Sequence, residues 1–126
     1  MKALLLVAHG SRRKQSNDEV IVIAEKLKQR CANDYDIVHA GFLELADTLI
    51  PDGIKHCVDD GATAITVLPY FLNSGRHVVE DIPHEVNQTK PNYPDVSIKI
   101  APHLGASDLM MDLLMTCAND VDGATA

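Results

Sequence analysis

The sequence predicts an α/β fold, a three-layer sandwich built on a four-stranded parallel sheet in the order 2-1-3-4. Three observations carry this expectation. Short apolar runs recur along the 126 residues, each ending in a Gly, Pro or polar turn signal. Segments of helical periodicity fill the gaps between them. The strict alternation of the two implies parallel strands joined by right-handed crossovers, with helices covering both faces of the sheet.

The first run, Ala3–Ala8 (ALLLVA), reads as strand 1. Asp18 to Arg30 then places Val20, Ile23, Ala24 and Leu27 on one helical face, with Glu25, Lys26, Lys28 and Gln29 mostly on the other. Asp36–Leu43 (DIVHAGFL) is strand 2. Leu49 to Asp60 forms the second helix through the stripe Ile50, Ile54, Cys57 and Val58, and Gly61 follows as its C-terminal cap. Strand 3 is Ala64–Leu68 (AITVL); the helix after it, Gly75 to Gln88, contains Pro83 and is expected to kink or break there. Strand 4 is Val96–Ala101 (VSIKIA), and Ser107–Asn119 is a last helix rich in Leu and Met. No repeat or linker interrupts the chain, so residues 1–119 read as one domain and 120–126 (DVDGATA) as a frayed end. A flavodoxin-like order of 2-1-3-4 puts the topological switch between strands 1 and 3, and ligands are expected there, beyond the strands' carboxyl ends.

Composition removes several function classes. Lys plus Arg number 11 against 18 Asp plus Glu, a net charge of −7, which argues against binding along a nucleic-acid backbone. Aromatic content is 4% with no Trp, so stacking platforms are scarce. The cysteines Cys31, Cys57 and Cys117 are odd in number and lack metal-ligand spacing, which suits a reducing cytoplasm. The apolar stretch Ala3–Ala8 is too short for a signal peptide or a membrane span, so neither export nor membrane insertion is expected.

The rim where the strands end is rich in histidine. Strand 1 ends in His9-Gly10-Ser11, strand 3 leads through Phe71, Leu72, Gly75 and Arg76 to His77, and strand 4 ends in Pro102-His103. His9 and His77 flank the switch point, so their imidazoles can meet across the crevice and share a divalent ion while leaving coordination positions open. His103 shares the rim and is a further candidate ligand. His39 in mid-strand, His56 in helix 2 and His84 after Pro83 read as structural or solvent-facing. Ser11, Arg12 and Arg13 form a basic patch at the start of helix 1, where free backbone N–H groups and the helix dipole favour anions. With Arg76 on the opposite rim, the patch can hold the carboxylates of an anionic ligand. Glu44 ends strand 2, and Glu80 and Asp81 follow His77 at helical spacing, so any of the three can act as metal escort or proton acceptor.

These strings together resemble the class II chelatases, specifically the short-form sirohydrochlorin cobaltochelatases (CbiX-like), with sirohydrochlorin ferrochelatases close behind. The resemblance spans most of the chain: Leu6–Arg12 (LVAHGSR), Gly41–Ala46 (GFLELA) with Pro51, Gly61–Thr66 (GATAIT) into Leu68–Leu72 (LPYFL), Gly75–Val78 (GRHV), Asp81-Ile82-Pro83, and Pro102 with Leu104-Gly105. It implies a chelatase-like sandwich in which His9 and His77 are the catalytic and metal-handling pair and Glu44 is an acidic residue of the same cleft; Ser11, Arg12, Arg13, Phe71, Leu72, Gly75 and Arg76, at the same strand-end rim, are the expected substrate contacts. Family members of double length carry two such lobes, so this chain looks like the half-length version that pairs as a homodimer. It departs from the pattern at Tyr70, at the Pro102-His103 turn and in lacking a His-rich tail, a type of segment that suggests metal storage.

The expected reaction is insertion of Co2+, or Fe2+ or Ni2+, into sirohydrochlorin or a related tetrapyrrole, with no cofactor beyond the metal ion. Such a ring loses two pyrrole protons as the metal enters, and histidine can hold the ion and accept protons near neutral pH. The acidic chain repels an acidic macrocycle at long range, but salt screens that beyond about 8 Å and leaves the local patch to decide. Two alternatives stand beside it. The same histidines would serve a carrier of metal or tetrapyrrole that does not turn over; a flavin- or phosphate-binding domain is the third reading, although His9–Arg12 lacks the Ser/Thr/Gly-rich run of a phosphate cradle.

Overall fold

The computed structural model describes residues 1–121. Strand β1 (Lys2–Ala8) is the hub of a parallel sheet in the order β2-β1-β3-β4, with β2 at Ile37–Phe42, β3 at Ala64–Pro69 and β4 at Ser97–Ile100. Its unbroken apolar run follows from this position, because both of its faces are covered. Ala3, Leu5 and Val7 join Ile50, Ile54, Ile65, Val67, Ile82 and Val86 in one core layer. Leu4, Leu6 and Ala8 point the other way, onto Val20, Ala24, Val38 and Phe42. Burying each large aliphatic side chain contributes about 1.5–3 kcal/mol.

Helix α1 (Lys14–Arg30) covers the second layer; α2 (Ile50–Asp59) and α3 (Ile82–Thr89) cover the first. The parallel order and the two-faced cover match the sequence expectation. Helix α1 begins one turn before Asp18, in polar residues that show no apolar period, and its N-cap Arg13 makes no side-chain capping bond. Helix α2 starts with Pro51 in its first turn and Asp52 Oδ2 accepting the Leu49 N–H at 3.1 Å, and Gly61, at φ 105°, follows its C-cap Asp60 where the sequence places the terminating glycine.

The third helical region differs in an instructive way. Its irregularity lies before Pro83, as a π-turn over His77–Asp81 in which the Ile82 N–H bonds back to the His77 carbonyl. Proline has no N–H to return to the carbonyl four residues earlier, so the chain widens by one residue ahead of it and α3 then runs on with Pro83 in its first turn. The last helix, α4 (Leu109–Asn119), starts two residues later than expected and has no buried residue. Leu109, Met111, Leu113, Leu114 and Met115 are exposed, so this apolar stretch is outside the core. Of the tail 120–126, residues 122–126 lie outside the described residues.

Candidate functional site

The carboxyl ends of β1, β2 and β3 converge because their loops are tied backbone to backbone. Leu43 N–H donates to the Ala8 carbonyl and Glu44 N–H to the His9 carbonyl, both at 3.1 Å, so the β1–β2 pairing continues past the strands. Gly10 has φ +95°, and a Cβ there would lie 1.7 Å from the Glu44 carbonyl oxygen. Only glycine permits that approach, which is why HGS follows β1. On the β3 side, Tyr70 N–H donates to the Val7 carbonyl at 2.7 Å, and Gly105 packs so tightly on Leu72 that a Cβ would lie 1.6 Å from its carbonyl oxygen.

This scaffold sets the His9 and His77 rings against each other in a tilted contact, 4.3 Å between centroids and 41° between planes. Each imidazole has a carboxylate. His9 Nε2 is 3.4 Å from Glu44 Oε1, and His77 Nδ1 is 2.8 Å from Asp81 Oδ2. A carboxylate on Nδ1 holds the proton there and leaves the His77 Nε2 lone pair for a metal ion. The π-turn places His77 and Asp81 one turn apart to make that contact. Phe71 stands behind His77 at 6.5 Å. The two imidazoles are 44% and 48% exposed and border a cleft of about 140 Å3 with Leu43, Glu44, Asp81 and, on its outer lip, His84 and Glu85. Among the described residues, no group of three or more His, Cys, Asp or Glu could by itself hold a metal ion. Two imidazoles with open positions suit an ion in transit.

The other expected residues are scattered around this centre. Ser11 and Arg12 line a second and larger groove, about 580 Å3, between α1 and the outer edge of β2, whereas Arg13 lines neither cleft. Two backbone N–H groups of the patch are already used: Ser11 N–H donates to Asn17 Oδ1 at 2.9 Å and Arg13 N–H to Ser11 Oγ at 3.1 Å. The expectation of free N–H groups for an anion is corrected at these two positions, leaving the side-chain charges. Arg76 pairs with Glu80 at 3.3 Å on the surface. Leu72 is exposed and Gly75 opens onto free space. His103 caps the short turn Leu104–Ala106 and does not border the histidine cleft.

His39 bonds Asp60 at 2.6 Å with the His56 ring 5.8 Å away, in keeping with a structural role. His84 was expected to be structural or solvent-facing; it is exposed and also lines the cleft. Burial pushes the Cys57 thiol up to about 12, with nearby Asp60 adding to the shift, so this cysteine is not a thiolate ligand. One residue had no sequence signal at all. Asn17 looks like a surface polar residue of a helix, yet it is buried and its amide also donates to the carbonyls of Ser11 and Leu45. No described helix is long and apolar enough to cross a membrane.

Comparison with known proteins places the chain in a family. A family model described as CbiX matches residues 3–121. A sirohydrochlorin ferrochelatase of Priestia megaterium is 33% identical over 122 residues, covering 97% of this chain and 45% of that relative. A sirohydrochlorin cobaltochelatase of Sulfolobus acidocaldarius is 34% identical over 114 residues, covering 90% of this chain and 87% of that one. Among solved structures, the sirohydrochlorin chelatase SirB of Bacillus subtilis subspecies spizizenii, in complex with cobalt, superposes with a TM-score of 0.85 at 30% identity, over 95% of this chain and 50% of that one. The chain thus spans about half the length of several relatives it matches.

Proposed function

The chain belongs to the CbiX family of class II chelatases, and on that premise we propose that it inserts Co2+, with Fe2+ or Ni2+ as alternative ions, into sirohydrochlorin or a closely related tetrapyrrole. The observation that carries this reading is the pair of imidazoles 4.3 Å apart, each with its own carboxylate, at the open end of the sheet. His9 and His77 hold the arriving ion, with Glu44 as escort. The ring enters the remaining coordination positions, two pyrrole N–H bonds break, and the imidazoles take up the two protons in succession as the metal leaves them. Asp81 stabilises His77 while it carries the second proton. Arg12, Arg13 and Arg76 meet the macrocycle's carboxylates, and Phe71 and Leu72 offer it an apolar edge. Catalysis of this kind consumes a metal ion and needs no further cofactor.

Residues 1–119 act in this proposal as one lobe of a two-fold homodimer. A flat macrocycle has two large faces, and pockets bury most of a ligand's surface, whereas a cleft of about 140 Å3 covers little of one. The exposed Leu and Met side chains of α4 offer apolar area for the pairing. Three cysteines without disulfide partners fit a cytoplasmic setting.

The decisive experiment incubates the purified protein with sirohydrochlorin and each divalent metal separately and follows the ring's visible spectrum. Many metallated rings per site are expected. A carrier gives at most one, and insertion no faster than the protein-free background refutes the chelatase reading.

A further inference from the structure

We infer that Asn17 is a positioning residue for the metal site, tying the turn that carries His9 to the turn that carries Glu44. The inference rests on the metal-handling reading above. Asn17 sits in the first turns of α1 and is 9% exposed, while Asp18 and Glu19 beside it are exposed. Burying a carboxamide is unfavourable unless its polar atoms are paired, and here they are. Oδ1 accepts the Ser11 N–H, and Nδ2 donates to the carbonyls of Ser11 and Leu45, each at 2.9 Å. Ser11 lies two residues after His9, and Leu45 directly follows Glu44.

The clasp has something to hold. Leu45 adopts φ 57°, a left-handed conformation that a non-glycine residue keeps only where its surroundings enforce it. The Asn17 bond to the Leu45 carbonyl is part of that enforcement. Without it the Glu44 turn can relax, and the Glu44 carboxylate, now 3.4 Å from His9 Nε2, moves away from the imidazole beside which it would escort an ion. His77 is held separately by Asp81, so loss of Asn17 disturbs one half of the site only. Asn17 therefore acts on the metal through Glu44 and not by touching the metal or the ring.

The test measures Co2+ binding by the purified chain, without tetrapyrrole, from the visible cobalt absorption. Asn17→Ala should weaken Co2+ binding about tenfold, as loss of groups that orient metal ligands does. In a Glu44→Ala background the same substitution should change nothing further, because nothing is left to position. Asn17→Asp keeps the acceptor for the Ser11 N–H but turns an oxygen toward the Leu45 carbonyl; it should behave likewise and covers the case in which the alanine variant melts. Wild-type affinity in the aspartate variant, or an equal loss with and without Glu44, overturns the inference. If the predicted dependence on Glu44 appears but no ring is metallated, the inference stands and the chelatase reading falls.

Discussion

Two concavities flank the turn after β2, and the smaller one gathers the candidate catalytic groups. The groove between α1 and the β2 edge is about 580 Å3, lined by Ile21, Ala24, Val38 and Phe42 among mixed charges. The cleft on the other side is about 140 Å3, but it gathers His9, His77, Glu44 and Asp81. Size in the groove comes from an uncovered sheet edge. The cluster of titratable groups in the cleft comes from three strand ends pulled together by main-chain hydrogen bonds. In an open parallel sheet the place where the chain changes direction outranks the place with most empty space.

Substitution on the two sides offers the sharpest way to break that contrast. His77→Ala should cut metal insertion at least about 100-fold without unfolding the half-exposed site, in line with loss of an acid–base group. His39→Ala, on the groove side, should leave turnover within about twofold. Steady-state assays and thermal melts check both, and the reverse ranking would move the active site into the groove.

Gly10→Ala probes how the cleft is held together. With φ +95° and a Cβ directed onto the Glu44 carbonyl, it should cost about 2–3 kcal/mol of stability and most of the activity, read by denaturant melts and Co2+ titration.

A pH effect belongs to neither concavity but to the core beneath α2, where Cys57 is buried. Its thiol titrates near 12 in the fold, above its unfolded value. The folded state therefore favours the protonated form. That stability is fully present below the unfolded value and is lost as pH rises from there toward about 12. A Cys57→Ala protein should lack this component, and thiol-alkylation mapping at pH 8 should label exposed Cys117 and spare Cys57.

The smallest effect is expected for the arginines that lie at or beside the groove. Replacing Arg12 and Arg13 by Ala should raise the apparent KM several-fold and change kcat less, as exposed charges that bind ground and transition states alike do. A fall in kcat at constant KM would assign them to the chemistry.

Much of this was legible in the sequence, for identifiable reasons. The short apolar runs ALLLVA and AITVL, alternating with helical segments, marked the strands, and the order 2-1-3-4 predicted that His9 and His77 meet, as their rings do at 4.3 Å. The rest depends on contacts between residues distant in sequence. Nothing local marks Asn17 as buried, or Gly105 as the seat of the Leu72 carbonyl, or the Ser11 N–H as already taken. Helix α4 is the converse case: its Leu and Met content marks apolar area without saying what covers it, and in the fold Leu109, Met111, Leu113, Leu114 and Met115 are exposed.

The π-turn at His77–Asp81 carries a further consequence, for the history of the site. A π-turn amounts to an α-helix with one residue inserted. Removing Val78 or Val79 would restore a regular helix and swing His77 by about 100° around its axis, away from His9. The pairing of the two imidazoles is thus separated from a plain helix by a single codon, and a lineage could gain or lose it in one in-frame event.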